Sequence, residues 1–306
     1  MTGRLLLVNY HYVRDDKYPY GGIHPITLDA FSRQIDRLRA RLHLAMPTEA
    51  EAFISGSGGF SRPAILLTFD DGLRDHFGVA RTLLEPLGIR GLFFVCSRPL
   101  LEQRALTVQK IHWLRATMPP NEFRSKVLER VQRTLNAPGY SRAALINYPY
   151  DAPGDAQVKH LLNFVLPRDL VDVVTSEMLC ELGRDEQDFC RDTYMSEAEL
   201  KELQAAGHIV AAHSHSHVPL GQLDEPALAS EVGRNLAFLE ATLGSRPIWI
   251  SYPYGSASAV PQDTSLLADG LGLRFGVTMS RGWVEPGQHP MKLKRINNNE
   301  LDEYLA

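Results

Sequence analysis

Two adjacent carboxylates, Asp70 and Asp71, end a stretch that opens with the apolar residues Ala64–Leu67, and they are followed by Gly72. The run reads as a buried strand of the parallel type. Successive residues of an extended chain point to opposite sides, so the two carboxylates are free to do different jobs. Charges this close to an apolar strand are costly unless a cation or hydrogen-bond donors lie beside them. Alone, Asp-Asp-Gly reads better as a helix start, with an Asp as N-cap of Leu73–Leu87. Two further strand ends shift the balance. His213-Ser-His-Ser-His217 follows the run His208–Ala212, and Tyr252-Pro-Tyr-Gly255 follows Pro247–Ser251. One carboxylate and two imidazoles make a ligand set with open positions, suited to Zn²⁺ or another divalent first-row ion and a water. Such an ion lowers the pKa of water from about 15.7 toward about 7 and polarises a carbonyl. Strand alternation would put His213, His215 and His217 on one side, so spacing leaves open which two are ligands. His-rich tracts also bind metal adventitiously.

The elements that must position these groups alternate. Residues 5–13 read as a first strand carrying Tyr10-His11-Tyr12 at its end, followed by a Gly/Pro-rich loop over 18–25. A helix capped by Thr27 follows, with Phe31, Ile35, Leu38 and Leu42 at helical spacing. The Asp-Asp strand comes after a Gly/Ser loop at 55–63; then come a helix over 75–87 stopped by Gly88 and a strand over 91–96. This βαβαβ order predicts parallel strands with crossover helices. Residues 100–194 break the rhythm, with helical stripes near 108–115, 122–135, 155–164 and 169–182. They read as a helical insertion, a cap over the site within one domain spanning 1–306. Ser196-x-x-Glu199 then forms a capping box. Strands are expected at 208–212, 247–251, 274–279 and 291–296, with helices over 226–243 and 262–270. In a parallel barrel the C-terminal strand ends share one face, where catalytic groups collect.

Composition narrows the function. A chain of 306 residues with 44% hydrophobic content has ample material for a large core. The net charge of −4, with no basic tract, gives no case for nucleic-acid binding. No apolar run approaches bilayer length. Cys96, Cys180 and Cys190 are odd in number and scattered, with no CxxC pair, which fits a reducing compartment. The run Leu5–Val8 is too short for a secretion signal and passes directly into Asn9-Tyr-His-Tyr, so the expected location is the cytoplasm. Nothing in the chain indicates an oligomeric state.

Three motifs together, Thr68-Phe-Asp-Asp-Gly72, His213-Ser-x-x-His217 and Tyr252-Pro-Tyr-Gly255, resemble those of the NodB-type polysaccharide deacetylases, carbohydrate esterase family 4. Gly91-Leu-Phe-Phe-Val95 and the stretch from Met195 to His217 extend the resemblance over 1–98 and 195–296. It implies a distorted (β/α) barrel of seven or eight strands and a metal-dependent N-deacylase. By position it makes Asp71, His213 and His217 the metal ligands, leaves His215 spare, and makes Asp70 the general base. The backbone N–H of Tyr254 would help hold the oxyanion, a role worth about 3–4 kcal/mol per donor. The other strand-end aromatics receive no role beyond packing.

The chain departs from the family pattern twice. Ser251 stands where many members have an arginine paired with the catalytic Asp, and the last strand, Met291–Ile296, lacks the Leu-x-His whose histidine protonates the leaving amine. A general acid is worth about 10²–10⁴-fold. His11 is the first candidate to replace it, followed by His24 and His289, whose ordinary reading is structural; His112 reads as a core residue. The expected activity is removal of an N-acetyl or N-formyl group from an amino sugar, a cytoplasmic nucleotide- or lipid-linked precursor of a surface polysaccharide. The expected ion is Zn, with Co, Ni or Mn as alternatives. A non-sugar amidase and an inactive metal- or carbohydrate-binding module are the competing readings.

Overall fold

The computed structural model describes residues 3–132 and 153–305. Two compact units emerge: one of residues 1–15, 25–104 and 190–306, the other of residues 16–24 and 105–189.

The larger unit is built on β1 (Leu5–Tyr10), β2 (His43–Leu44), β3 (Ala64–Phe69), β4 (Leu92–Val95), β5 (Ile209–Ala212), β6 (Trp249–Ser251), β7 (Phe275–Val277) and β8 (Ile296–Asn297). They form one parallel sheet in the order β7-β6-β5-β4-β3-β1-β8, with β2 also pairing β3. β1, β3 and β4 are buried at every position, as expected of strands covered on both faces. Alternate residues separate into two cores. Leu5, Leu7, Leu66, Phe94, Trp249 and Leu293 fill one, while Leu6, Val8, Leu67, Phe93 and Val210 pack with helix residues such as Phe31, Leu200 and Leu236 in the other. The sheet curls until its ends meet. Leu293 bridges Val277 of β7, and β8, three residues on, pairs β1. This is a distorted (β/α) barrel.

Several local signals act as expected. The Thr27 hydroxyl accepts from Ala30 N at 3.2 Å, and Ser196 and Glu199 form the reciprocal capping box. Gly88 ends its helix in the left-handed conformation. Other expectations need correction. The first strand stops at Tyr10, and Val13 only bridges Ile26. No carboxylate caps the helix after β3, whose N-cap is Leu73; Asp75 instead binds Arg14 and Val13 N. A helix over Pro47–Ile54 was not anticipated. The stretch 291–296 is mostly a 3₁₀ turn and single bridges, because it crosses between β7 and β1 rather than lying along either. Residues 262–270 yield only a short π turn, Leu266–Gly270.

The second unit is helical: Thr107–Thr117, Pro120–Gln132, Pro153–His160, Arg168–Glu181 and part of Glu186–Thr193. Positions 133–135 of the helix expected over 122–135 lie outside the described residues. Residues 16–24 join this unit because Tyr20 N donates to Ala116 O at 3.3 Å, and Gly22 lies so close to the backbone that a Cβ would sit 2.3 Å from His112 O. Among the described residues no helix is long and apolar enough to cross a membrane.

Candidate active site

The interior parity of the strands carries polar residues at their C-terminal ends. Leu5 and Leu7 are followed by Asn9, Leu66 by Thr68 and Asp70, Trp249 by Ser251, and Leu293 by Arg295. These residues meet around Asp70. Arg295, 0% exposed, donates from Nη1 to Asp70 Oδ1 at 2.8 Å and from Nη2 to Oδ2 at 2.7 Å, a bidentate pair. Nη2 also reaches Ser251 Oγ at 2.9 Å, and that hydroxyl donates to Asp70 Oδ2 at 3.1 Å. Asn9 Nδ2 supplies a further donor to Oδ2 at 3.1 Å, while Asn9 Oδ1 and Thr68 Oγ1 receive Nη1 at 3.2 Å each. Burial pushes Asp70 up, but Arg295 and the neighbouring imidazoles outweigh it and hold the carboxyl down at about 2. Asp70 is therefore an oriented, ionised acceptor.

Asp71 turns the other way. Its φ of 75° and the 69° of Gly72 make the sharp turn that the glycine foreshadowed. Its Oδ1 lies 3.2 Å from His213 Nε2 and 3.3 Å from His217 Nε2. The three ligand atoms fall within 4.8 Å of one another and all three residues are buried. Burial pushes Asp71 up, yet the two imidazoles hold it well below the usual carboxylate range. His213 is drawn up by Asp70 and Asp71 against its burial, and burial draws His217 down.

These residues fit a divalent ion on one further observation. His213 Nδ1 lies 2.7 Å from Ser251 O, and a carbonyl only accepts, so Nδ1 carries the proton. In the neutral ring the Nε2 lone pair then faces the Asp71 carboxylate. Two lone-pair donors so close repel unless a cation lies between them. Donors about 2.1 Å from a tetrahedral ion stand about 3.4 Å apart, close to the separations seen. The carbonyl behind His213 is the usual outer support of a metal-bound imidazole.

Backbone strain concentrates in the same place. Of the five non-glycine residues with left-handed φ among those described, four are Asp71, Ser214 (65°), His217 (59°) and Tyr254 (63°). Each costs about 1–3 kcal/mol, and such residues gather at functional sites. This strain also explains why alternation fails along the histidine run. His215 does not join the ligands; its ring lies between Ser97 Oγ at 2.9 Å and Glu102 Oε1 at 3.1 Å.

The remaining sequence candidates spread out. His11 is exposed just past β1, close enough to Asp70 and Asp71 to lower both, and its carbonyl accepts from buried His76 Nε2 at 2.7 Å. The Tyr254 ring packs edge-on against His217 with centroids 4.9 Å apart. His289 Nδ1 accepts from Met291 N and caps a turn. His24 and His112 belong to the helical unit, exposed and half-buried respectively. Sequence reasoning missed Arg295. The parity it shares with Leu293 was a usable signal, masked by the flanking Lys292 and Lys294.

Residues 182–276, which carry the histidine run and Tyr252–Gly255, match the family described as polysaccharide deacetylase. Solved structures similar to this chain share its fold across nearly its whole length. The Streptococcus pyogenes deacetylase PplD in complex with acetate aligns with TM-score 0.60 at 15% identity, covering 99% of this chain and 98% of that one. IcaB from Ammonifex degensii gives 0.58 at 17%, covering 100% and 98%. A de-N-acetylase from Aggregatibacter actinomycetemcomitans gives 0.56 at 13%, covering 99% and 100%. No curated protein matches the sequence.

Proposed function

We propose that this chain hydrolyses the N-acyl group, acetyl or formyl, of an amino sugar with a divalent ion held by Asp71, His213 and His217. The observation that carries the reading is the convergence of those three donors beside the clamped Asp70. The ion, Zn first and Co, Ni or Mn otherwise, supplies Lewis acidity to a water and to the acyl carbonyl when bound. Asp70 receives a proton from the attacking water. Arg295 and Ser251 fix its orientation and keep it ionised, the part that an arginine at position 251 would otherwise play. The Tyr254 N–H donates to the developing oxyanion. His11 delivers a proton to the leaving amine; its exposure leaves it open to substrate. The three free cysteines fit a reducing compartment and thus a cytoplasmic nucleotide- or lipid-linked precursor as substrate. Arg295 also removes one reason, the serine at 251, for reading the chain as an inactive binding module.

The test is release of free amine from N-acetyl and N-formyl hexosamines, offered as nucleotide sugars and as oligosaccharides. Stripping the protein with a chelator abolishes release and Zn²⁺ or Co²⁺ restores it. Asp70→Asn lowers kcat by about 10²–10⁴-fold. Release that ignores both treatments sinks the proposal.

A further inference from the structure

The two imidazoles facing Asp71 are held in different ways. His213 is fixed through its ring, by the Ser251 carbonyl at 2.7 Å. His217 has no such brace: its Nδ1 is buried without a hydrogen-bond partner among the described residues. With only ring packing from Tyr254 and His213 beside it, its placement leans on its backbone, which sits at a left-handed φ of 59° two residues after His215. A loop in that conformation must be held from outside.

The holding group lies on the helix Glu225–Leu243. Glu231 Oε1 accepts from both the backbone N–H and the hydroxyl of Ser216, the latter at 2.9 Å, immediately before His217. One turn along the same helix face, Asn235 Oδ1 accepts from His213 N at 3.1 Å while its Nδ2 donates to Val95 O at 2.9 Å. The Ser214 hydroxyl closes the loop by accepting from His217 N at 3.0 Å. Asn235 thus ties the loop's first residue to β4, and Glu231 pins the residue that aims His217. We propose that Glu231 is a positioning residue for His217: through Ser216 it holds the strained turn that presents His217 Nε2 beside Asp71. The inference rests on the metal reading of Asp71, His213 and His217.

The experiment measures Zn²⁺ affinity by competition with a chromogenic chelator, the Co²⁺ d–d spectrum, and the Tm of the ion-free protein. Glu231→Ala weakens Zn²⁺ binding about 10–100-fold and alters the Co²⁺ spectrum. Glu231→Gln, which keeps an oxygen able to accept both Ser216 bonds, binds close to wild type. Glu231→Asp, one methylene shorter, weakens binding and serves if the alanine variant does not fold. Wild-type affinity and spectrum in the Ala or Asp variants overturn the proposal, as does a lowered Tm with unchanged affinity. If the wild-type protein itself binds neither ion, the metal reading fails and this inference falls with it, a result distinct from the others.

Discussion

Among the described residues two cationic side chains, Arg295 and Lys110, are fully buried, one in each compact unit. Arg295 in the barrel meets Asp70, Ser251, Asn9 and Thr68; Lys110 in the helical unit meets Asp172, Ser176 Oγ at 2.8 Å and Glu186 Oε1 at 3.3 Å. Both satisfy the rule that buried charge needs a partner. Their surroundings differ. Lys110 and its partners join three helices, and no described non-glycine residue of that unit has a left-handed backbone. Arg295 instead clamps a carboxylate whose sequence neighbour faces two imidazoles, amid four strained residues. A buried ion pair is thus no mark of function in itself. What distinguishes the barrel pair is the carboxylate and two imidazoles gathered beside it, a group that could hold an ion, and the strained backbone at the same place.

The sharpest way to break this contrast is to remove each cation. Arg295→Met and Lys110→Met each strand a buried carboxylate and cost about 3–5 kcal/mol in urea unfolding. Only Arg295→Met also lowers kcat of the folded enzyme, by about 10²-fold or more, with a smaller change in KM. Equal kinetic losses in both variants would erase the distinction.

His208 supplies a second test, as a buried titratable group whose Nε2 lies 3.7 Å from Glu85 Oε1, beyond hydrogen-bond distance. Burial, then Arg90 and Arg81, hold it down at about 4, so it stays neutral while its Nδ1 accepts from Gly91 N at 3.1 Å. With the folded pKa below the unfolded value, its contribution is complete above pH about 6.5 and is lost as pH falls toward 4. Urea midpoints measured across that window fall in the wild type, and fall less in His208→Asn, which keeps the acceptor. The smallest effect is expected of Ser251→Ala. It removes one hydroxyl from a carboxylate that keeps Arg295 and Asn9, for about 1 kcal/mol of stability and a several-fold loss of kcat.

Much of the fold was legible because its signals are local. Thr27, Gly88 and the Ser196/Glu199 pair act within one helical turn of themselves, and the apolar runs of β3 and β4 need only a covered position to become strands. The closing segment was harder to read. With only Ile296 and Asn297 in regular pairing, residues 291–296 carry almost no strand pattern, and their role comes from the two edges they join. The histidine run failed on the same ground, since left-handed φ at Ser214 and His217 is invisible to any periodicity.

Residue type and short-range spacing sufficed for the alternation of parallel strands and helices, the adjacent carboxylates and the imidazoles able to serve an ion, while the barrel followed from the resemblance of the motifs. Tertiary structure alone decided that Arg295 orients Asp70, that His215 turns to Ser97 and Glu102, and that Glu231 grips the loop before His217. Those contacts span from 15 to 225 positions of chain, and only closure of the barrel and packing of its helices bring the groups within hydrogen-bond reach.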